Sequence, residues 1–305
     1  MKLDLHVHTI FSGQTTIYPL SLIMRESYNS PDGVHRRAKA RGMDLVTITD
    51  HDRIDGALTI ADRPDVIVGC EVTAVFPSDG VRVHLGVLGV TETQHREIQR
   101  LRGDVRELLP YLRQERIFSS LNHVASRING QVTAPHIAAL MPWVDGIEVI
   151  NGSRLATQNR TAACLADACA KVGVAGSDSH TGRGIGRTWV EAPHATTREE
   201  FLTELHAGRV RVGGRQGHYF TMASDMLRLA AGFYHDRFIQ AVKAPLDWRA
   251  QAFVLGGILG LPLVCLPLAG ALVHFILEER FNQALLFDLV ARPAVARLAR
   301  APEVA

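Results

Sequence analysis

Leu3-Asp4-Leu5-His6-Val7-His8 is the stretch on which the reading of this chain turns. Its alternation is that of a β-strand, with Leu3, Leu5 and Val7 on one face and Asp4, His6 and His8 on the other. Two imidazoles two residues apart on a strand point the same way, which is the arrangement needed to grip one ion. Met1-Lys2 runs directly into this strand, so no leader segment is expected ahead of it.

Outward from that strand, the first 220 residues alternate short β-like runs with helical stretches. Ser30-Pro31 reads as an N-cap followed by proline at the first helical position, with a helix expected to about Arg41. Strands are expected at Asp44 to Asp50, Asp65 to Val72, Val81 to Val90, Ile117 to His123, Gly146 to Ile150 and Val172 to Gly176. One polar, Leu-spaced helix is expected from Glu92 to Arg116, and an Ala-rich one from Leu155 to Lys171. The rhythm predicts a barrel-like α/β fold, whose chemistry gathers at the C-terminal ends of the strands.

The 305 residues are 47% hydrophobic, enough for a sizeable core, and the formal net charge of +2 gives no global pull toward nucleic acid or anionic membranes. None of the four cysteines forms a CxxC pair, so a reducing compartment is expected. Fourteen histidines supply many candidate ligands.

Histidines and acids recur at strand ends. Asp50-His51-Asp52 closes the second strand and Glu71 the third, with Cys70 on the opposite face as core packing. His84 lies opposite Val83 and Leu85, His123 follows Asn122, and Asp178 and His180 close the last strand. A lone strand-end histidine is ordinarily a hydrogen-bonded structural residue. Eight such groups around one barrel mouth need cations to offset their repulsion and desolvation. Mixed His, Asp and Glu ligation without Cys suits zinc, manganese or iron. A carboxylate such as Glu71 can bridge paired ions about 3.5–4 Å apart, which stabilise an in-line attack on phosphorus.

The set His6-Val7-His8-Thr9, Thr49-Asp50-His51-Asp52, Gly69-Cys70-Glu71, His84, Asn122-His123, Gly146-Ile147-Glu148-Val149 and Gly176-Ser177-Asp178-Ser179-His180 resembles the PHP (polymerase and histidinol phosphatase) family over roughly residues 1–220. The resemblance implies a distorted (β/α)7 barrel, two or three divalent metal ions and phosphoester hydrolysis. It implies a first metal on His6, His8, Glu71 and Asp178, and a second on Glu71, His84 and His123. A third would take His51, His180 and a ligand from the loop after His8, where Gly13 and Gln14 stand in place of the family's Asp or His. A second departure is His123-Val124 where family members often have His-Pro. Glu148 and Asn151 also match family positions, with a structural role at the barrel rim equally open.

A metal-activated water is then expected to attack a phosphate monoester or diester. If the third metal is missing, His180 or His51 would protonate the leaving oxygen, and Asp178 would be indispensable. Arg183 and Arg187, in Thr181-Gly182-Arg183-Gly184-Ile185-Gly186-Arg187, could clamp the phosphate bidentately, or could belong to an ordinary solvated loop. Arg36, Arg37, Lys39 and Arg41 read as a solvated helical face. The substrate is expected to be a phosphorylated small molecule or nucleotide, with nucleic acid left open.

Residues 221–305 are expected to form a helical extension. Ala252 to Leu277 contains no Asp, Glu, Lys or Arg, a length that could span a membrane, yet Gly256, Gly257, Gly260, Gly270, Pro262 and Pro267 interrupt it. A kinked span, a hairpin dipping into one leaflet and a buried helix pair all stay open. The expected location is cytoplasmic, with attachment to the inner face of the membrane open. The rival reading is a catalytically inactive, membrane-associated ligand-binding or scaffold module. A weaker one is hydrolysis of an amide or lactone.

Overall fold

The computed structural model describes residues 1–15, 20–259 and 265–291. It begins with β1 (Lys2–Leu3), α1 (Pro31–Ala40), β2 (Val46–Ile48), α2 (Asp55–Leu58), β3 (Val66–Val75) and β4 (Arg82–Leu88). Next come α3 (Glu92–Leu101), α4 (Val105–Gln114), β5 (Phe118–Leu121), α5 (Ala134–Leu140), β6 (Gly146–Asn151), α6 (Ala156–Ala168) and β7 (Val172–Gly176). The chain continues through β8 (Thr188–Glu191), α7 (Arg198–His206) and β9 (Arg211–Gly214) into three helices, α8 (Tyr219–Lys243), α9 (Trp248–Leu259) and α10 (Cys265–Ala291).

The α/β class and the helical C-terminal segment match the sequence reading, while the sheet differs in detail. Six strands run in the order β2-β3-β4-β5-β6-β7, and β1, β8 and β9 form a separate antiparallel sheet. The β–α rhythm breaks at β3–β4, an antiparallel pair joined without a helix. The strand expected over residues 3–8 is regular only at Lys2–Leu3. Beyond it, side chains replace the ladder: Thr49 Oγ1 receives the Val7 N–H at 3.0 Å. The segment still bonds on both sides. Leu5 N and His8 N donate to Ala175 O and Ser179 O, Asp178 N donates to His6 O, and Thr49 N donates to Val7 O. It therefore fills the gap between β7 and the end of β2 as an irregular stave.

The single helix expected over 92–116 is two. α3 ends at Leu101, and Asp104 caps α4 by accepting the Arg106 N–H, so the backbone turns at Gly103. Helices α3 to α5 bury Ile98, Leu108, Leu112 and Ile137 against Val83, Leu85, Leu121 and Ile147 of the sheet. Arg41 is not part of a solvated face: its guanidinium donates to the carbonyls of Arg183 (3.0 Å) and Ile185.

The apolar residues 252–277 are divided between α9 and α10. Gly260 and Pro262 lie outside the described residues, and Pro267 lies within α10. No described helix is long and apolar enough to cross a membrane. Instead α10 joins the core: Leu285 is buried with the β3–β6 cluster, and Phe281 and Leu289 pack against it.

Candidate metal centre

The eight residues assigned as ligands gather in one pocket, whereas Asp52 turns away to pair with Arg102 and the Thr73 N–H. His6, His8, Glu71, His84, His123 and Asp178 are buried, and His51 and His180 form its more open side. The backbone turns sharply there. Asp52, His123 and Asp178 adopt positive φ (55°, 29° and 49°), which side-chain-bearing residues rarely do.

Glu71 is the centre. Its Oε2 lies 3.2 Å from His6 Nε2, 3.4 Å from His8 Nε2 and 3.2 Å from His51 Nδ1. Its Oε1 lies 3.0 Å from His123 Nε2 and 3.6 Å from His84 Nδ1, and accepts a bond from Asn122 Nδ2 at 2.9 Å. The two oxygens thus face two groups of imidazoles. Asp178 Oδ1 completes the first group, 3.7 Å from His6 Nε2 and 3.5 Å from His8 Nε2. Among the described residues, ligand atoms lie within 4.8 Å of one another in the triads His6–His8–Glu71, His6–His123–Asp178, His51–Glu71–His84 and His8–His51–His180.

Partners behind the pocket orient these groups. Glu148 Oε1 accepts the His6 Nδ1 proton at 2.9 Å, and its Oε2 accepts His123 N (2.9 Å) and Asn151 Nδ2 (2.8 Å). Asp50 accepts from Thr9 N, Thr9 Oγ1 and Ser12 Oγ, and Ser12 Oγ contacts His8 Nδ1 at 3.0 Å. Asp50 therefore anchors the loop behind His8. Arg154, buried, donates from Nη2 to Asp178 Oδ2 at 3.1 Å, and Asn151 Nδ2 donates to the same oxygen.

Electrostatics follow from this crowding. Burial, with the neighbouring His180 and His51 charges, drives the His8 imidazole down to about 3, and burial takes His84 to about 3 against the pull of Glu71. Both are therefore neutral near pH 7, the form in which imidazole donates a lone pair to a metal. Burial alone would raise the Glu71 and Asp178 carboxyls. The charge of His6 beside both, with Arg154 beside Asp178, instead holds them well below the usual carboxylate range.

A fit test for cations rests on one atom. Glu71 Oε2 is fully buried and makes no hydrogen bond, though three imidazole nitrogens surround it. A buried carboxylate oxygen left this way is costly unless a positive centre satisfies it. Several contacts in the cluster, at 3.4–3.7 Å, exceed good hydrogen-bond lengths. They match ligand–ligand edges around an ion with bonds of about 2.0–2.2 Å. The residues fit divalent metal.

Arg183 and Arg187 lie together in a small cavity with Ser177, Arg215, His218 and Asp225. Sequence reasoning missed three features. Glu26 reaches His51 and His180 from the returning arm of the loop after His8, Arg154 pairs with Asp178, and Arg215 shares the arginine cavity. Glu26 and Arg154 lie in no spaced motif, and Arg215 directly follows β9, a strand the sequence reading did not predict, so no local pattern marked them.

Comparison with known proteins agrees with the motif reading. Residues 156–210 match the model of the PHP-associated family, and the chain resembles the PHP family in this segment as in its motifs. An uncharacterised protein of Methanocaldococcus jannaschii is 32% identical over 77 residues, 24% of this chain and 44% of that protein. The match thus spans less than half the length of that curated relative. A Bifidobacterium adolescentis structure described as a metal-dependent phosphoesterase is 15% identical, covering 68% of this chain and 96% of its own, at a TM-score of 0.47. The lesion-specific endonuclease of Pyrococcus furiosus is 16% identical, covering 69% and 57%, also at 0.47.

Proposed function

We propose that this chain is a metal-dependent phosphoesterase that hydrolyses a phosphate monoester or diester. The observation that carries the proposal is Glu71, a buried carboxylate whose two oxygens face two separate imidazole groups. His6, His8, Glu71 and Asp178 would hold one ion, and Glu71, His84 and His123 a second. Zinc, manganese and iron all suit this donor set. Divalent ions bound there supply Lewis-acid charge for a phosphoryl oxygen and make water a stronger acid.

The chain's own residues do the rest. Glu148 fixes the orientation of the His6 ring, and Asp50, through Ser12, that of His8. Where no third ion is held, His51 or His180, on the more open side, would hand a proton to the leaving oxygen. Arg183 and Arg187, sharing one cavity, are proposed to bind the phosphate or its neighbour bidentately. A phosphorylated small molecule or nucleotide is the proposed substrate, with an oligonucleotide the alternative.

The intact chain, reloaded with manganese or zinc, should hydrolyse an aryl phosphate monoester or diester, and stripping the metal should abolish this. Asp178→Ala should lower kcat/KM by more than about a hundredfold, above the usual loss for an outer-sphere partner. Full activity in that variant would remove the site assignment. Turnover of amide or lactone substrates alone would replace the phosphoester reading.

A further inference from the structure

The loop after His8 offers Gly13 and Gln14 where the resembled family places a third-metal ligand, and the fold supplies a substitute. That loop is a hairpin. Gln14 pairs antiparallel with Arg25, Glu26 N donates to Gly13 O, and Thr15 N donates to Met24 O. Glu26 thus sits directly across from Gly13, on the returning arm. Two anchors fix that arm at the pocket. Ser27 Oγ donates to the carbonyls of His8 and His180, and Asn29 Nδ2 donates to those of His8 and Ser179.

The result is a carboxylate oxygen 3.5 Å from His51 Nε2 and 3.7 Å from His180 Nε2. Both gaps are too long for good N–H···O bonds, which run about 2.7–3.2 Å. They are near the edge of a tetrahedron of ligands around a cation, about 3.3 Å for bonds of roughly 2.0–2.1 Å. The His51 ring also presents its other nitrogen, Nδ1, to the Glu71 centre 3.2 Å away. One ring therefore faces Glu71 with one nitrogen and Glu26 with the other. The three side chains are 15–20% exposed, whereas Glu71 and Asp178 are almost wholly buried. This corner opens to solvent, where an ion and a substrate oxygen can meet.

We infer that Glu26 completes a third divalent-cation site with His51 and His180, replacing the ligand missing at Gly13-Gln14. The inference rests on the metallohydrolase reading of the same pocket. Its occupant is a borderline or hard divalent ion such as zinc or manganese, since the donors are two imidazoles and a carboxylate. With only three protein ligands and an open side, the site keeps a position for water or a phosphoryl oxygen.

The test counts ions. The intact chain is stripped with chelator, equilibrated with excess manganese or zinc, desalted, and assayed for metal per chain by mass spectrometry. The same is done for Glu26→Gln, which keeps the side chain's size, and for Glu26→Ala should the amide fold poorly. Far-UV circular dichroism checks folding. The wild type should hold three equivalents and the variants two. Equal counts in wild type and folded variants, whether two or three, overturn the inference and leave the two-ion site standing. A wild type that holds none sinks the hydrolase reading itself.

Discussion

At the scale of single residues, the pocket is organised by groups that would touch no metal. Glu148 is the clearest. One oxygen takes the proton of His6 Nδ1 and the other takes the His123 backbone N–H, so one carboxylate holds a ring and a backbone that belong to residues assigned to two different ions. Such outer partners typically carry a ten- to hundredfold effect on metal affinity. Glu148→Ala should therefore weaken metal binding by about 10–100-fold, read as the apparent Kd in competition with a chromophoric chelator. An unchanged Kd would mean that Glu148 merely fills the rim, the alternative that its sequence position left open. The ligand candidates were legible because strand-end placement is a local pattern, visible in motifs two to four residues long. Glu148's task was not, because it depends on which strands become neighbours.

At the scale of elements, the site depends on an irregular stave being held tightly. Residues 5–8 have few ladder bonds, so contact with β7 must position His6 and His8. Gly176 at the end of β7 is what allows that contact. A Cβ built there would lie 2.3 Å from His6 Cβ and 2.7 Å from His6 N. The obstruction is backbone, which cannot swing aside. Gly176→Ala should then cost at least about 1–3 kcal/mol, as overpacking usually does, and lower Tm by several degrees in a melting curve. It should also reduce metal affinity, because His6 moves with its backbone. A Tm within a degree of the parent would show that β7 and the stave are not so closely apposed. The strands themselves were readable to within a few residues from alternation and turn residues. The division into two sheets, the β3–β4 pair and the break at Gly103 were not. The break at Gly103 and the irregular stave each turn on one hydrogen bond, the Asp104 cap and Thr49 Oγ1 on Val7, that competes with the regular pattern.

At the scale of the whole molecule, the question is whether the C-terminal helices are an accessory or part of the barrel's support. Composition draws a boundary near residue 220, but the contacts cross it. Glu278 of α10, 1% exposed, accepts Arg127 N and Gln158 Nε2. Asp288 accepts the N–H of Ala134 at the start of α5, and Glu279 accepts the hydroxyl of Thr157 in α6. At the other end, α8 braces the hairpin that carries Glu26. Arg237 donates to Ile23 O, Asp236 pairs with Arg25, and Tyr28 lies against Gly232. The outward faces are apolar, with Phe253, Leu255, Leu272, Val273 and Ile276 exposed within residues 252–277, which explains why the sequence suggested a membrane there. Hydropathy reports such exposed and buried apolar residues alike, so it could not separate a span from a packed bundle. Removing residues 244–305 deletes Leu285 from the core and leaves the amide of Ala134 and the side chain of Gln158 without their acidic partners. A buried donor stripped of its partner costs about 1–3 kcal/mol, and losing a buried leucine adds about 2–5. The shortened chain should melt well below the full one, by ten degrees or more, in circular dichroism with metal present. Coincident melting curves would instead make the extension a separable appendage, and the barrel would owe its stability to residues 1–243 alone.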